Sequence, residues 1–331
     1  MVKFFLFILL FVSCDNNKER SRACELRVLT YANFNSLLGP GKKLASEFQR
    51  QHHCKVKYVV SGDSLLLTEI LKHKQRKIDV ITGLDQMSLL DTTTTELLED
   101  IAQKFSLSWH PFIKDYLSPK LLPIDWAPLT IIKHHSNSHS PRVTLIRPGQ
   151  WRDLQLKKEL SLQDPRTSIT GLQFLWWWSS GFKRFFSKKN LHSLSPSWST
   201  AYGLFQTERV AATFTYITSL LYEWEKTPKK TFTVVNDEQG HPVQIEFVGV
   251  LKSSVKKELA EKWVKLLMSP TGQQILMNAN YMYSVHEELI TGKMSELPQL
   301  KVLSKNSFMN FMRNKEAHLK SWQNALNKYV D

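Results

Sequence analysis

From Leu26 to Asp85 the chain alternates strand-like and helix-like runs in an order that few folds accept. The runs are LRVLTY, a Gly-Pro-Gly turn at Gly39 to Gly41, KKLASEFQRQ, VKYVVS, SLLLTEILKHK and DVITG. LRVLTY, VKYVVS and DVITG are short and carry Val, Ile and Tyr, whereas KKLASEFQRQ and SLLLTEILKHK repeat apolar residues at helical spacing. A βαβαβ order predicts a parallel, doubly wound α/β sheet, and such sheets take their ligands beyond the carboxyl ends of the strands. Those ends are Tyr31 to Phe34, Ser61 to Ser64 and Gly83 to Asp85. Ser61-Gly62-Asp63-Ser64 is a Gly-containing loop that opens a helix, where free backbone N–H groups suit an anion.

A second alternation follows an extended stretch, Leu121 to Ile132, and a polar loop from His134 to Arg142, HHSNSHSPR, where a lobe boundary is expected. SLQDPRTSITGLQFLWWWSSG, Ser161 to Gly181, reads as strand end, Pro turn, and a helix capped by the Ser168 hydroxyl and ended by Gly181. Consecutive helical residues fan about 100° apart, so Trp176, Trp177 and Trp178 cannot all face one core. One of them is expected to point outward. Trp198 precedes a further helix, the strand Val210 to Thr215 ends at Tyr216, Ser219 starts another helix, and PVQIEFVGVL, Pro242 to Leu251, suits a strand that crosses back. Helices over KKELAEKWVKLLMS and near Met309 to Tyr329 close the chain.

The amino terminus sets the compartment. Met1 to Ser13 carry one charge, Lys3, and an apolar run from Phe4 to Val12, too short to anchor across a bilayer and suited to an export signal. LFVSC resembles the bacterial lipoprotein box, so Cys14 is expected to carry lipid and residues 14–25 to tether a folded body to the inner membrane from the periplasmic side. Ordinary cleavage nearby is the alternative. Two cysteines remain in the body, Cys24 and Cys54, each just before a strand-like run; in an oxidising compartment they could pair or stay two unrelated thiols.

The 44 Lys and Arg against 30 Asp and Glu give a formal charge of +14. The basic residues are scattered over helix-like stretches beside acidic ones, without aromatic interleaving, which reads as solvated faces and not as a nucleic-acid surface. The resulting field favours anionic ligands modestly over about a Debye length. His134, His135 and His139 lie in a Ser- and Asn-rich loop without Cys or carboxylate at set spacing, so no metal site is expected.

Six motifs together resemble a family: TYANF at Thr30 to Phe34 with GPG at Gly39 to Gly41, DVITGLD at Asp79 to Asp85, QDPRTS at Gln163 to Ser168, WSTAYGLF at Trp198 to Phe205, YITSLLY at Tyr216 to Tyr222, and NYMYSV at Asn280 to Val285. They resemble the thiamine-binding periplasmic proteins of bacterial ABC importers, within the type II periplasmic binding proteins. The resemblance implies two doubly wound α/β lobes joined by a hinge, residues 26–125 with 249–331 forming one lobe and 126–248 the other. It implies a cleft that closes on thiamine or its phosphate esters as transported ligand, with no cofactor, in a monomer that serves the membrane subunits of an ABC transporter. Tyr31, Trp198, Tyr216, Tyr222 and Tyr281 would supply faces for a flat, positively charged heterocycle. Gly62, Asp63 and Ser168 would hold its phosphate or hydroxyethyl end. Tyr281 stands where the family pattern has Trp, and Leu38 where a Trp precedes GPG, which leaves one aromatic face fewer.

Thiaminases of one type share this architecture and attack thiamine with a cleft cysteine, so an enzyme is the rival reading. Cys24 and Cys54 precede their strands, at the edge opposite the expected ligand, and in a sheet that makes those strands neighbours they are expected to form a disulfide. A binding protein for another heteroaromatic cation and a lipid-anchored sensor remain alternatives.

Overall fold

A computed structural model describes residues 24–74, 77–105, 108–135, 141–153, 159–184, 186 and 188–327. The leader, Cys14, nearly all of the tether and His139 lie outside the described residues. β1 (Glu25–Tyr31), α1 (Gly41–His52), β2 (Lys55–Ser61), α2 (Leu67–Lys74) and β3 (Val80–Asp85) keep the expected alternation. β1 lies between β2 and β3, parallel to both. The apolar face of α1 sets Leu44 and Phe48 into the core, where Phe48 meets Trp263 edge-on at 5.5 Å. After the single turn α3 (Thr92–Thr95), capped by the Asp91 carboxylate, the chain enters the 14-residue strand β4 (Leu122–His135).

β5 (Val143–Ile146), α4 (Pro148–Asp153), β6 (Leu160–Gln163), α5 (Ile169–Ser179), β7 (Leu191–Ser195), α6 (Trp198–Gln206), β8 (Ala212–Tyr216), α7 (Ser219–Lys226) and β9 (Thr231–Val235) build the second lobe. The chain returns through β10 (Val243–Val250), then α8 (Lys257–Met268), α9 (Pro270–Ala279), the short β11 (Tyr283–Ser284), α10 (Lys305–Arg313) and α11 (Lys315–Asn327). The strand order is β2-β1-β3-β10-β4-β8-β6-β7, with β5, β9 and β11 paired off this path. It is not parallel throughout: β10 runs antiparallel to β3 and β4, and β4 antiparallel to β8 and β9. Two doubly wound halves are thus stitched by antiparallel crossing strands, the type II periplasmic binding protein fold.

The pairing places the changeover between lobes within β4. Its first half, Leu122 to Pro128, pairs with β10, and its second half, from Leu129, pairs with β8 and β9. The expected boundaries at 125/126 and 248/249 move to Pro128 and Pro242, because Val243 to Val248 bond to β3 and to the first half of β4. The expected polar loop starts late for the same reason: His134 and His135 are strand residues paired with Phe232 and Thr231.

A second correction concerns the end of the chain. Expected in the first lobe, α10 and α11 pack on α5 of the second: Trp176 donates to the Ser307 hydroxyl at 3.0 Å and meets Phe308 at 5.4 Å, and Trp178 meets Trp322 at 5.5 Å. On the opposite side, Trp177 stacks on Phe182 at 3.9 Å and donates to Asp237. No tryptophan of the three points outward; every residue from Ile169 to Trp178 is buried. A helix apolar all round has to be enclosed on every side, and the carboxyl-terminal pair closes the side left open by the sheet.

The Cys24 and Cys54 sulfurs are bonded, with Cα atoms 4.7 Å apart, at the matched amino ends of β1 and β2. The bond closes a 30-residue separation around α1. The Cys24→Ser/Cys54→Ser double variant should lose about 3 to 4 kcal/mol of unfolding free energy by restored chain entropy, read as a lower urea midpoint. An unchanged midpoint would remove that account.

Candidate ligand-binding cleft

Where the strands of both lobes end, a cavity of about 260 Å³ opens, lined by residues of both lobes. Its volume is at the small end for a site that encloses a whole small molecule, for which about 300 to 1,000 Å³ is usual. The second lobe gives an aromatic wall. Trp198, first residue of α6, stacks on Tyr202 at 4.7 Å and 14°, and its indole N–H donates to the Thr215 hydroxyl at 2.9 Å, which fixes the ring plane. Tyr222 on α7 stands edge-on to Tyr281 at 5.6 Å. Tyr281 lies beyond α9 on the other lobe, and its hydroxyl donates to Glu225 at 2.8 Å. Its φ of 52° is unusual for a bulky residue, a strain that here aims the ring across the cleft.

The floor is acidic. Glu246 in β10 stands directly between Asp85 of β3 and Asp125 of β4 in the strand register, so three carboxyl side chains share one face of the sheet. All three are buried. Tyr31 donates to both Glu246 oxygens at 2.8 and 2.9 Å, Asn280 donates to Asp125 Oδ2 at 2.8 Å, and Tyr216 donates to Gln244 at 2.9 Å. Asp85 Oδ2 and Asp125 Oδ1 have no hydrogen-bond partner among the described residues. Burial pushes the Asp85 carboxyl up to about 7. Burial first, and then the charge of Asp125, raises Glu246; burial raises Asp125 itself. The described lining includes Asp63 and Glu246 and no Lys, Arg or His. The net positive charge of the chain therefore misleads about its cleft, because charges on solvated faces are screened within about 8 to 10 Å while Glu246 is at the cavity surface.

Seven of the eight expected ligand residues line the cavity: Tyr31, Gly62, Asp63, Trp198, Tyr216, Tyr222 and Tyr281. Ser168 does not. It starts α5, but its side chain makes no capping bond; the hydroxyl is bonded to that of Thr170 at 3.0 Å, and its own N–H is taken by Asp164. Ile169 and Thr170 reach the cavity instead. Leu38, where an aromatic face was expected to be missing, also lines it and remains 65% exposed. Glu246, Gln244, Asn280 and Tyr202 are not among the residues the sequence singles out. A usable signal exists for the acids: Glu246 in PVQIEFVGVL and Asp125 in LLPIDWAPL each interrupt a run otherwise apolar enough to be buried on both faces, and a charge is buried there only for a reason.

Two α/β lobes spanned by crossing strands, with a cleft that both line, define a two-lobed protein that encloses a small solute. The chain belongs to the family of bacterial extracellular solute-binding proteins, whose pattern matches residues 32–274. It is similar to the thiamine-binding periplasmic protein of Salmonella typhimurium, 26% identical over 316 residues that cover 92% of this chain and 94% of that one. Among solved structures, a periplasmic thiamin binding protein matches with a TM-score of 0.76 at 23% identity, over 92% of this chain and 96% of that one. The apo ferric ion-binding protein A of Pasteurella haemolytica matches at 0.71 and 14%, over 93% and 100%. The two structures share the fold and differ in the ligand they are named for, so the ligand has to be argued from the cleft.

Two outcomes follow from the floor. Gly83 has φ +95°, and a Cβ there would lie 2.5 Å from the Tyr31 ring. Gly83→Ala should therefore cost about 1 to 3 kcal/mol of stability and displace the hydroxyl from Glu246, weakening ligand binding; unaltered affinity and melting temperature would show that the ring has room to move. The second concerns pH. A carboxyl whose folded pKa is raised keeps its proton in the fold longer than in the unfolded chain, so folding stability falls as pH rises from the ordinary carboxylate range, about 4, to about 7 for Asp85. Ionisation over that span makes the floor more negative. Affinity for a cation should rise with pH up to and through 7, with protons released on binding, as calorimetry in buffers of different ionisation enthalpy will show; flat affinity from pH 5 to 8 contradicts it.

Proposed function

We propose that this protein captures thiamine, or a thiamine-class heteroaromatic cation, in the periplasm and delivers it to the membrane subunits of an ABC importer. The observation that carries the reading is a cavity with aromatic walls over an acidic floor, without a basic side chain in its described lining. A thiazolium bears a permanent charge and the attached pyrimidine is flat, so the pair gains cation–π and stacking contacts from Trp198, Tyr222 and Tyr281, and charge neutralisation from Glu246. Relatives named for thiamine support the same ligand. The export signal and LFVSC support a chain tethered at the inner membrane through a lipidated Cys14.

Binding without chemistry is the reading over a thiaminase. Catalysis would need a thiolate in the cleft, whereas the Cys24 and Cys54 sulfurs are bonded to each other at the amino edge of the sheet.

Calorimetry should show one thiamine bound per chain. Trp198→Ala and Tyr222→Ala should each weaken it by about 1 to 3 kcal/mol, and Glu246→Gln by a similar amount. Chromatography should recover the thiamine intact after prolonged incubation with and without a pyridine base. Absence of binding ends the thiamine reading; consumption of thiamine turns the protein into an enzyme.

A further inference from the structure

The loop after β2 reaches across the cleft. Asp63 Oδ1 accepts from the N–H of Leu65 in its own loop at 2.9 Å and from the N–H of Ile169, the first residue of α5 on the other lobe, at 3.4 Å. The position that a phosphate would take, the amino end of an 11-residue helix with its dipole and free N–H groups, is thus already held by a carboxylate of this chain. A phosphate entering there would meet Asp63, with the Glu246, Asp125 and Asp85 carboxyls behind it on the floor. Cations around the rim are engaged by other groups: Arg166, three residues before Ile169, is held by the Asp164 carboxylate, Lys226 lies over the Tyr222 ring and Lys293 pairs with Glu225. Thr170 and Ser64 beside Asp63 can donate hydroxyl hydrogen bonds, but they carry no charge.

Building on the thiamine reading, we propose that Asp63 selects ligands by the charge of the end that approaches α5: it accepts a cation ending in a hydroxyl or another neutral donor and excludes one ending in a phosphate. An alcohol donates to the carboxylate and replaces the bond from Ile169. A phosphate dianion has no hydrogen to donate, displaces the carboxylate from α5, and leaves two like charges together in a cavity of about 260 Å³. The selection therefore comes from a residue that also joins the two lobes. Only a ligand that can take over the bond from Ile169 leaves the cleft closed with Asp63 partnered across it as well as by Leu65.

The test is calorimetry of thiamine, thiamine monophosphate and thiamine diphosphate against the wild type and Asp63→Asn. Asn keeps the oxygen that caps Leu65, so the loop should fold; Asp63→Ser, also a cap former, is the second variant. The wild type should bind thiamine at least about tenfold tighter than either ester, and both variants should gain about tenfold or more for the esters while losing severalfold for thiamine. Wild-type affinities that are equal across the series, or a variant that moves all three ligands by the same factor, overturn the proposal. If none of the three binds, the thiamine reading falls, and titration with inorganic pyrophosphate, followed by the amide resonances of Ile169 and Thr170, decides about Asp63 alone. A saturable shift in Asp63→Asn that is absent from the wild type sustains the proposal. The same response in both, including none, overturns it.

Discussion

Three carboxyl groups side by side in the interior, on strands that must pair, are the constraint around which the cleft is built. Asp85, Glu246 and Asp125 are fixed in register by the β3–β10–β4 ladder, so they cannot separate without breaking the strands that join the lobes. Burying such groups without a cation costs free energy, and neutral donors from Tyr31, Asn280 and Gln244 recover only part of it. Part of the remainder is met by protons, which is why burial raises these carboxyls. A ligand cation does the same work better because it arrives with aromatic surface for the walls. The buried acids that cost the fold stability are thus the ones that give the cleft its preference.

The apolar surroundings make that arrangement tolerable. β4 is buried over its first eleven residues and β10 over all eight, so the crossing strands have packed layers on both faces. α5 adds a rigid wall, since its tryptophans are wedged between the second-lobe sheet and the carboxyl-terminal helices. Its amino end is held in place while the loop after β2 brings Asp63 to it. On the other lobe, Gln273 fixes the stretch that carries Tyr281 by accepting from Ser284 and Val285 and donating to two backbone carbonyls.

Much of this was legible in the sequence. Alternating periodicity is a local signal, and it predicts β1 to β3, α5 to α7 and β10 with their strand ends, while the motif resemblance points to the seven cavity residues. What escaped was decided by long-range packing. The helical fan of Trp176 to Trp178 says correctly that three directions need covering, but only the distant residues Phe308 and Trp322 reveal what covers them. Ser168 has the right chemistry for a cap, yet Thr170 competes for its hydroxyl and Asp63, about a hundred residues earlier, reaches the next N–H. Net charge failed as a guide because it sums over screened faces, whereas the ligand meets the few groups on the floor.

Among the described residues, contacts between cleft residues of the two lobes include three hydrogen bonds, Asp63 with Ile169, Tyr281 with Glu225 and Tyr216 with Gln244, and the edge-on pair of Tyr281 with Tyr222. Once the cleft opens, water can take over each of these hydrogen bonds at small net cost, since a typical protein hydrogen bond contributes only about 0.5 to 1.5 kcal/mol net. The crossing strands, by contrast, carry Pro128 and Pro242 where the lobes meet; neither has an N–H to donate, while their carbonyls accept from Ile217 at 3.0 Å and from Leu129 at 2.8 Å, so each position gives the ladder an acceptor and no donor. A stiff body on each side, a joint that lacks two backbone donors and contacts that water can replace favour a small free-energy difference between open and closed forms. A ligand that touches both lobes then shifts that balance by its differential affinity alone. This is what capture followed by release to a membrane partner requires, because an interface strong enough to stay shut without ligand could not be opened to deliver it.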